Sequence, residues 1–307
     1  MSPGRSYALF ALVCLIFSTT WLAIRVGLED LRPFGAAGLR FVVALPILLA
    51  YAVARRLAWP RNARDWVIPL VLGVTMFAAP FALIYTAEKT VPSGLTAVLF
   101  ATHAIFVALL AHVALGDEPL TLARVAGILV GFAGVAVVFW GRSEGRHAWL
   151  GELAILGCAA IQAVSSILVR KTQRDLHPVV LSAIGAAVGA VCLLTASFLF
   201  EGGPVIRLGA AGIASVLYLG VAGSVIGVTA SIRLIHVLGA NRVAMTVYVT
   251  PIAALLWGRL LLGETLGPGL LLGAALVVGG VWLASRVPLK SGVPPAPTPA
   301  AVPGTEV

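Results

Sequence analysis

His103 is a titratable side chain in the middle of a long apolar run, residues 94–114. Its imidazole can gain or lose a proton near neutral pH. Ionisable residues are rare inside membrane segments, and those that occur usually contact a solute or relay a proton. His103 is therefore a candidate for substrate contact or proton linkage. The alternative is a structural histidine whose ring bonds to a helix carbonyl.

Arg40 is a second charged residue within an apolar run, six residues inside the span that begins at position 34. A long arginine side chain can extend along a helix and place its guanidinium at the membrane surface. If the side chain of Arg40 points inward instead, it would anchor an anion or a carboxylate.

Hydroxyl and amide side chains occur at matching places in two apolar segments. The first segment carries Ser18-Thr19-Thr20-Trp21, and a later one carries Gln162, Ser165 and Ser166. Hydroxyls in membrane helices often bond to their own helix carbonyls or join two helices. Their occurrence in both segments favours a polar cavity lining.

Three acidic residues lie at the ends of apolar spans. Glu88 and Lys89 follow one another at the end of the third span, where the sequence predicts a solvated pair at the membrane interface. Glu118 and Glu264 occupy equivalent ends of two later spans, and we expect them to face water and to bond exposed helix ends.

These positions belong to an internal duplication. The segment from Ile16 to Pro33 reappears 145 residues later as Ile161 to Pro178. With a drift of a residue or two, the alignment places His103 opposite Thr250, which precedes Pro251. Polar or helix-breaking residues at matched positions near the bilayer midplane are typical of a solute site between transporter repeats. Tyr248 lies in the same span as Thr250, as a cavity-lining or a packing aromatic.

The composition identifies an integral membrane protein. Hydrophobic residues make up 60% of the 307 residues and charged residues 11%, with a mean hydropathy of +1.03. Soluble proteins contain roughly 25% charged residues. A span needs about 20 apolar residues. Apolar windows punctuated by Arg, Gly and Pro predict ten transmembrane helices, near 7–25, 34–54, 66–87, 94–114, 122–140, 149–169, 179–200, 209–230, 241–262 and 268–285.

The ten spans divide into two repeats, 7–140 and 149–285. Since each repeat has an odd number of spans, the second must be inverted in the membrane. The predicted fold class is therefore an all-α integral membrane protein with two inverted five-helix repeats. With the N-terminus in the cytoplasm, thirteen Lys and Arg residues fall on the inner side and seven on the outer side, leaving out Arg40. This asymmetry favours cytoplasmic placement of both termini. Residues 286–307, rich in proline, are predicted to form a disordered cytoplasmic tail.

Several function classes do not fit the sequence. The net charge of +9 is scattered between apolar spans, which points to lipid headgroups and topology rather than to nucleic acid. The sequence contains no HExxH pair, no phosphate-binding loop and no paired midplane carboxylates. Cys14, Cys158 and Cys192 lie within apolar spans as packing residues. We therefore expect no metal site, no cofactor and no enzymatic activity.

Four runs of sequence resemble the EamA family of the drug/metabolite transporter superfamily, and most of all its YedA-type bacterial inner-membrane members. The runs are FSTTWLAIRVGL (17–28), RPFGAAGLRF (32–41), AEKTVPSGLTAVLFAT (87–102) and TPIAALLWGRLLLGETL (250–266). The resemblance covers about residues 7–285. It implies an exporter of small metabolites or drugs that works by alternating access, with a central cavity between its halves.

The resemblance also implies which spans line that cavity, namely the first, third, fourth, sixth, eighth and ninth. The resulting candidates are Thr19, Trp21, Tyr85, His103, Gln162, Tyr218, Tyr248 and Thr250, to which Arg40 is added by its own chemistry.

The sequence thus predicts a secondary transporter that exports a small metabolite, such as an amino acid or a drug-like compound, across a bacterial inner membrane. Its partners would be that small molecule and membrane lipid. An uncoupled facilitator or channel is the main alternative, because the midplane lacks the carboxylates that usually carry protons. An intramembrane enzyme is a third. Small-residue seams let helix backbones approach closely, and we expect most of them to pack within one chain. They lie in the fifth, seventh and eighth spans: Gly127, Gly131, Gly134, Gly185, Gly189, Gly220, Gly223 and Gly227. A homodimer through the fifth or tenth span is compatible with the sequence, but nothing requires one.

Overall fold

The structure, a computed structural model, describes residues 3–115, 121–140, 148–172, 176–205, 207, 209–227, 229–230, 234 and 246–285. Within these residues the secondary structure is helical, apart from one isolated antiparallel bridge between Leu31 and Val205. Parts of the predicted eighth and ninth spans, together with Glu118 and the predicted tail 286–307, lie outside the described residues.

The first half of the chain contains α1 to α7. Their bounds are α1 Pro3–Gly27, α2 Pro33–Ala54, α3 Ala63–Leu72, α4 Ala79–Ala87, α5 Ser93–Phe100, α6 His103–Leu115 and α7 Leu122–Trp140. A π-helical segment, Gly73–Ala78, joins α3 to α4, so that the two helices form one continuous span.

The second half contains α8 to α12. Their bounds are α8 Ala148–Thr172, α9 Pro178–Ala196, α10 Ala210–Tyr218, α11 Thr246–Leu262 and α12 Pro268–Ser285. Two π-helical segments extend this set: Ser197–Glu201 continues α9, and Leu219–Ile226 continues α10.

Among the described residues, seven helical segments of 19 to 25 residues are long and apolar enough to cross a membrane. They are Arg5–Gly27, Pro33–Ala54, Ala63–Ala87, Ser93–Ala114, Leu122–Trp140, Trp149–Val169 and Pro178–Glu201. Three shorter apolar helices follow at Ala210–Ile226, Thr246–Leu262 and Pro268–Ala284. Each segment overlaps one of the predicted spans.

The outer surface of the bundle is apolar. Val113, Leu129 and Phe200 are 82%, 65% and 79% exposed, where a water-facing helix would carry polar groups. Such side chains are more stable in lipid than in water, and a helix forms the hydrogen bonds of its backbone internally. The apolar surface and the helical backbone together identify a membrane protein.

Glycines bring α7 and α12 into close backbone contact. A Cβ atom added at Gly280 would lie 2.4 Å from the backbone nitrogen of Gly131 and 2.6 Å from the carbonyl oxygen of Gly127. Small residues allow membrane helices to approach in this way. The glycine faces of the fifth and tenth spans therefore pack against each other within one chain.

Candidate functional site

A cavity of about 480 Å³ lies among helices from both halves of the chain. Side chains from α1, α2, α4, α5 and α6 meet side chains from α8, α9 and α11 around it, together with two of the π-helical segments. The lining is mostly apolar and aromatic, with a few polar groups. Of the predicted candidates, Trp21, Arg40, His103, Gln162 and Thr250 line this cavity.

Local breaks in two helices place polar groups in the cavity. The fourth span is interrupted at Ala101 and Thr102, just before His103, and the hydroxyl of Thr102 donates to the carbonyl of Leu99 at 2.6 Å. Side-chain bonds of this kind compete with the helix ladder and bend helices. In the other half, the π-helical segment Leu219–Ile226 widens the turn that carries Ser224.

Arg40 points into the bundle and is 3% exposed. Its NH2 group donates to the hydroxyl of Ser224 at 3.1 Å, and its Nε donates to the same oxygen at 3.3 Å. Longer bonds reach the hydroxyl of Tyr85 at 3.4 Å and the carbonyl of Leu219 at 3.5 Å. All of these acceptors are neutral. Among the described residues no carboxylate forms a salt bridge with Arg40.

Two phenylalanine rings also face the guanidinium group of Arg40. Its central carbon lies 4.8 Å from the ring centroid of Phe81 and 5.6 Å from that of Phe41. Such rings attract a cation electrostatically. Gly223 leaves room for the charge, since a Cβ atom there would lie 3.2 Å from the NH2 group. Within the described part of the chain, the site holds a positive charge without neutralising it.

Three aromatic rings that line the cavity stack in sequence. His103 lies parallel to Phe100, with ring centroids 5.8 Å apart, and Phe100 contacts Trp21 at 5.3 Å. The Nε2 atom of His103 is 3.3 Å from the hydroxyl of Ser166, and its ring also interacts with the backbone of Gln162. The Nε1–H of Trp21 is buried and has no hydrogen-bond partner among the described residues.

The remaining predicted candidates lie elsewhere. Tyr85 is fully buried, accepts a hydrogen bond from Arg40, and packs near the ring of Phe81 with centroids 6.5 Å apart. Thr19 and Tyr218 bond to each other, oxygen to oxygen, at 2.5 Å. Tyr248 borders a second hollow, between α11 and α12, with Pro251 and Trp282 among its neighbours.

Three residues of the site were not predicted from the sequence: Ser224, Phe41 and Phe81. Ser224 stood within a run of glycines that was interpreted as a packing seam. A hydroxyl in such a run is the only signal for its role, since the π-helical turn that exposes it is not visible in the sequence.

One end of the bundle is closed by contacts between the two halves, and we call it the closed end. It comprises residues 28–32, 88–92, 201–205 and 263–267. Here Leu31 pairs with Val205, and the N–H of Arg32 donates to the carbonyl of Pro204 at 3.1 Å. Gly35 lies so close to Pro204 that an added Cβ atom would overlap its backbone.

Carboxylates at the closed end cap helices of the opposite half. Glu264 accepts hydrogen bonds from the N–H of Ser93 at 2.7 Å, the hydroxyl of Ser93 at 2.8 Å and the N–H of Gly94 at 3.1 Å. Glu201 accepts from the N–H groups of Phe34 and Gly35 at 3.2 and 3.3 Å. The predicted bonding of a helix end by Glu264 is confirmed, and its acceptor position stabilises the positive end of the α5 dipole.

Asp30 makes the reverse connection from the first half to the second. Its carboxylate accepts from the N–H of Gly212 at 2.8 Å and from the Nε of Arg207 at 2.5 Å. These hydrogen bonds, first that of Gly212, hold the pKa of the Asp30 carboxyl below its usual range.

Glu88 departs from its predicted environment. Lys89 is exposed, but Glu88 is 0% exposed and both its carboxylate oxygens lack hydrogen-bond partners among the described residues. The prediction of a solvated Glu88–Lys89 pair was therefore wrong for Glu88. It fails because the guanidinium of Arg25 donates to the Glu88 carbonyl and α1 thereby covers this turn. Burial raises the pKa of the Glu88 carboxyl well above its usual value, Arg25 opposes this shift, and Glu264 adds to it.

Comparison with known proteins matches the chain to a family of transporters. The model of the EamA-like transporter family matches residues 4–140 and 149–286. The chain is 28% identical to the protein PagO of Salmonella typhimurium over 80% of its length and 81% of that protein. It is 30% identical to the uncharacterized inner membrane transporter YedA of Escherichia coli K12, over 84% of the chain and 83% of that protein.

Two further matches extend over nearly the whole chain. The uncharacterized transporter YoaV of Bacillus subtilis is 26% identical over 88% of the chain and 93% of that protein. A solved crystal structure shares the fold with a TM-score of 0.66 at 22% identity, over 93% of this chain and 99% of that one.

Proposed function

Because the chain belongs to the EamA-like transporter family, we propose that it is a secondary transporter that exports a small metabolite across a bacterial inner membrane. In this proposal the two matched segments are inverted repeats of five helices each, and the solute crosses by alternating access. Both termini lie in the cytoplasm, as the distribution of Lys and Arg favours. The chain itself performs no chemical conversion.

The observation that carries this proposal is the cavity shared by the two halves. It has one buried cation, several neutral polar groups and aromatic walls, which is the usual composition of a small-molecule site. Sites between repeats let one solute be reached from either side as the halves rock. The contacts at the closed end then form the gate on one side.

The orientation of the repeats gives the closed end a place in the cycle. With cytoplasmic termini, residues 28–32, 88–92, 201–205 and 263–267 lie on the periplasmic side. In this proposal the closed end is a periplasmic gate, and its bonds are those of Asp30, Glu201 and Glu264. Export requires these bonds to break and re-form once in each cycle.

An uncoupled facilitator is the second candidate. One specific observation favours it: the described residues around the cavity include no Asp or Glu side chain, and His103 is the titratable group that remains. A carboxylate is the more usual proton carrier in transporters. Proton coupling through His103 and passive equilibration therefore predict different responses of transport to a pH gradient.

Flux in proteoliposomes tests the transporter function. Purified protein is reconstituted, and uptake of labelled hydrophobic amino acids and aryl carboxylates is measured one compound at a time. Thr250→Trp fills the cavity without removing Arg40, and we expect it to stop uptake. Val249→Trp is the matched control, because Val249 is the adjacent residue and is 40% exposed on the outer surface. Equal uptake by the two variants would refute a route through this cavity.

A pH gradient separates the two candidates. The coupled transporter accumulates solute against its concentration gradient only when the pH differs across the membrane, and His103→Asn should remove this response. A facilitator reaches equal concentrations on both sides whatever the gradient. Unchanged pH dependence in His103→Asn and His103→Ala would exclude His103 as the proton-linked group.

A further inference from the structure

The charge balance of the cavity restricts what it can bind. Arg40 carries a guanidinium group and is buried to 97% of its surface. The acceptors around it are two hydroxyls and one backbone carbonyl, at distances from 3.1 to 3.5 Å. Bonds of this length and neutrality replace only part of the hydration that a guanidinium loses on burial. Within the described residues, the cavity therefore carries an unbalanced positive charge that an anionic group would neutralise.

Trp21 provides a second donor in the same cavity. Its side chain is 8% exposed, and its Nε1–H has no partner among the described residues. A buried donor without an acceptor is costly, and buried indole N–H groups usually find one. Because Trp21 lines the cavity, an acceptor atom on a bound solute would satisfy it. The uncompensated charge of Arg40 and the unpaired N–H of Trp21 both favour negative or electron-rich atoms on a solute.

The described residues that line the cavity offer no matching site for a cation. The described residues that line it include no carboxylate, and the remaining acceptors are neutral, such as Gln162 and Thr250. The faces of Phe41 and Phe81 could attract an ammonium group, but Arg40 already lies over them. An α-amino acid would have to bury its ammonium group without a counterion, at a large cost in hydration.

The other walls favour an apolar body. Phe17, Phe77, Phe100 and Ile84 surround the space left by the polar groups. Apolar area removed from water contributes to binding in proportion to its size. A solute that fits both features has one anionic end and an aromatic or branched aliphatic remainder.

We propose that the cavity selects amphipathic organic monoanions over zwitterionic amino acids and over cations, with Arg40 binding the anionic group and Trp21 donating to a further acceptor. This proposal rests on the proposed function and narrows its substrate class. Three compounds with the same phenylpropane carbon skeleton but different charges separate the charge classes: 3-phenylpropionate, L-phenylalanine and 3-phenylpropylamine. Their affinities for the purified full-length chain in detergent are measured by equilibrium dialysis, with protein-free micelles as the blank.

We expect 3-phenylpropionate to bind at least about tenfold more tightly than phenylalanine, and 3-phenylpropylamine to bind most weakly. Arg40→Gln should weaken binding of the acid by about 10- to 100-fold, the range for a lost charge-assisted bond. Arg55→Gln is the matched control, since Arg55 follows the same helix and is exposed. Trp21→Phe keeps an aromatic ring and removes the N–H, so it should weaken binding of the acid about three- to tenfold.

Phenylalanine binding as tightly as 3-phenylpropionate overturns the proposal, and so does equal affinity in Arg40→Gln and Arg55→Gln. If Arg40→Gln does not fold, the three-compound comparison on the unaltered chain decides alone. If the unaltered chain carries phenylalanine, Thr250→Trp stops this flux, and 3-phenylpropionate does not bind, the charge selectivity is refuted. The transporter function then stays intact. Flux that is equal in Thr250→Trp and Val249→Trp refutes the transporter function itself.

Discussion

Replacing Glu264 by glutamine should loosen the closed end. The glutamate uses both oxygens, one for the N–H and hydroxyl of Ser93 and one for the N–H of Gly94. A glutamine has one acceptor oxygen, and its amide nitrogen would face a donor. At least one bond to the end of α5 is therefore lost.

The size of this effect follows from the two contributions that disappear. A hydrogen bond to a charged group is worth about 1.5–3 kcal/mol, and a negative charge at a helix N-terminus about 0.3–1 kcal/mol. The sum, about 2–4 kcal/mol, is the amount by which opening of the α5 end becomes easier. Since about 1.4 kcal/mol corresponds to a factor of ten, opening becomes at least about 30-fold more frequent.

Hydrogen–deuterium exchange read by mass spectrometry measures this opening directly. The peptide that contains residues 93–100 should exchange faster in Glu264→Gln than in the unaltered chain by about that factor. Glu29→Gln is the matched control, because Glu29 is an exposed carboxylate at the same end. Equal exchange in the two variants would refute the role of Glu264 as a cap that holds the two halves together.

Three further predictions concern stability, read as the thermal unfolding midpoint in detergent. The pKa of Glu88 is raised, so the free energy of unfolding of the unaltered chain should fall by about 1.4 kcal/mol per pH unit as the pH rises from the usual glutamate pKa to the raised value. Glu88→Gln should lack this pH dependence. Parallel pH profiles of the two proteins would contradict the burial of a protonated carboxyl. The pKa of Asp30 is lowered, so its contribution to stability is complete above the usual aspartate pKa and is lost as the pH falls through the lowered value. Asp30→Asn should therefore unfold at a lower temperature than the unaltered chain at neutral pH, and the difference should shrink on acidification. A difference that stays constant would argue against the bonds to Arg207 and Gly212. Gly280→Ala should lower the free energy of unfolding by about 1–3 kcal/mol, because the added methyl group overpacks against α7. Gly279→Ala, with no atom within 4 Å of the added Cβ, should change it little. Equal losses of stability would refute the close contact between α7 and α12.

Much of the fold was predictable because membrane insertion depends on local composition. Every one of the seven long helical segments coincides with an apolar window of the sequence. The glycine spacing also predicted a close helix contact, now found between α7 and α12. The break before His103 was not predicted, because no proline marks it in the sequence; the hydroxyl of Thr102 donates to the carbonyl of Leu99 at this point.

The candidate site was predictable in part. Arg40 and His103 stood out because charge is rare inside apolar spans, and both line the cavity. Tyr85 was named by its span alone, and its side chain is buried and bonds to Arg40 instead. The environment of Glu88 could not be predicted, because it depends on Arg25 in a different helix. Contacts between residues far apart in sequence leave no periodic pattern.

The most direct test of the central claim is the reactivity of a cysteine placed in the cavity. Thr250→Cys is made in a chain whose Cys14, Cys158 and Cys192 are replaced by alanine, and labelled with an anionic or a cationic thiosulfonate. We predict that the anionic reagent modifies Thr250→Cys faster than the cationic one, because Arg40 attracts it, and that Val249→Cys on the outer surface shows no such preference. Faster labelling of Thr250→Cys by the cationic reagent, or equal behaviour at the two positions, would contradict a positively charged solute cavity between the halves.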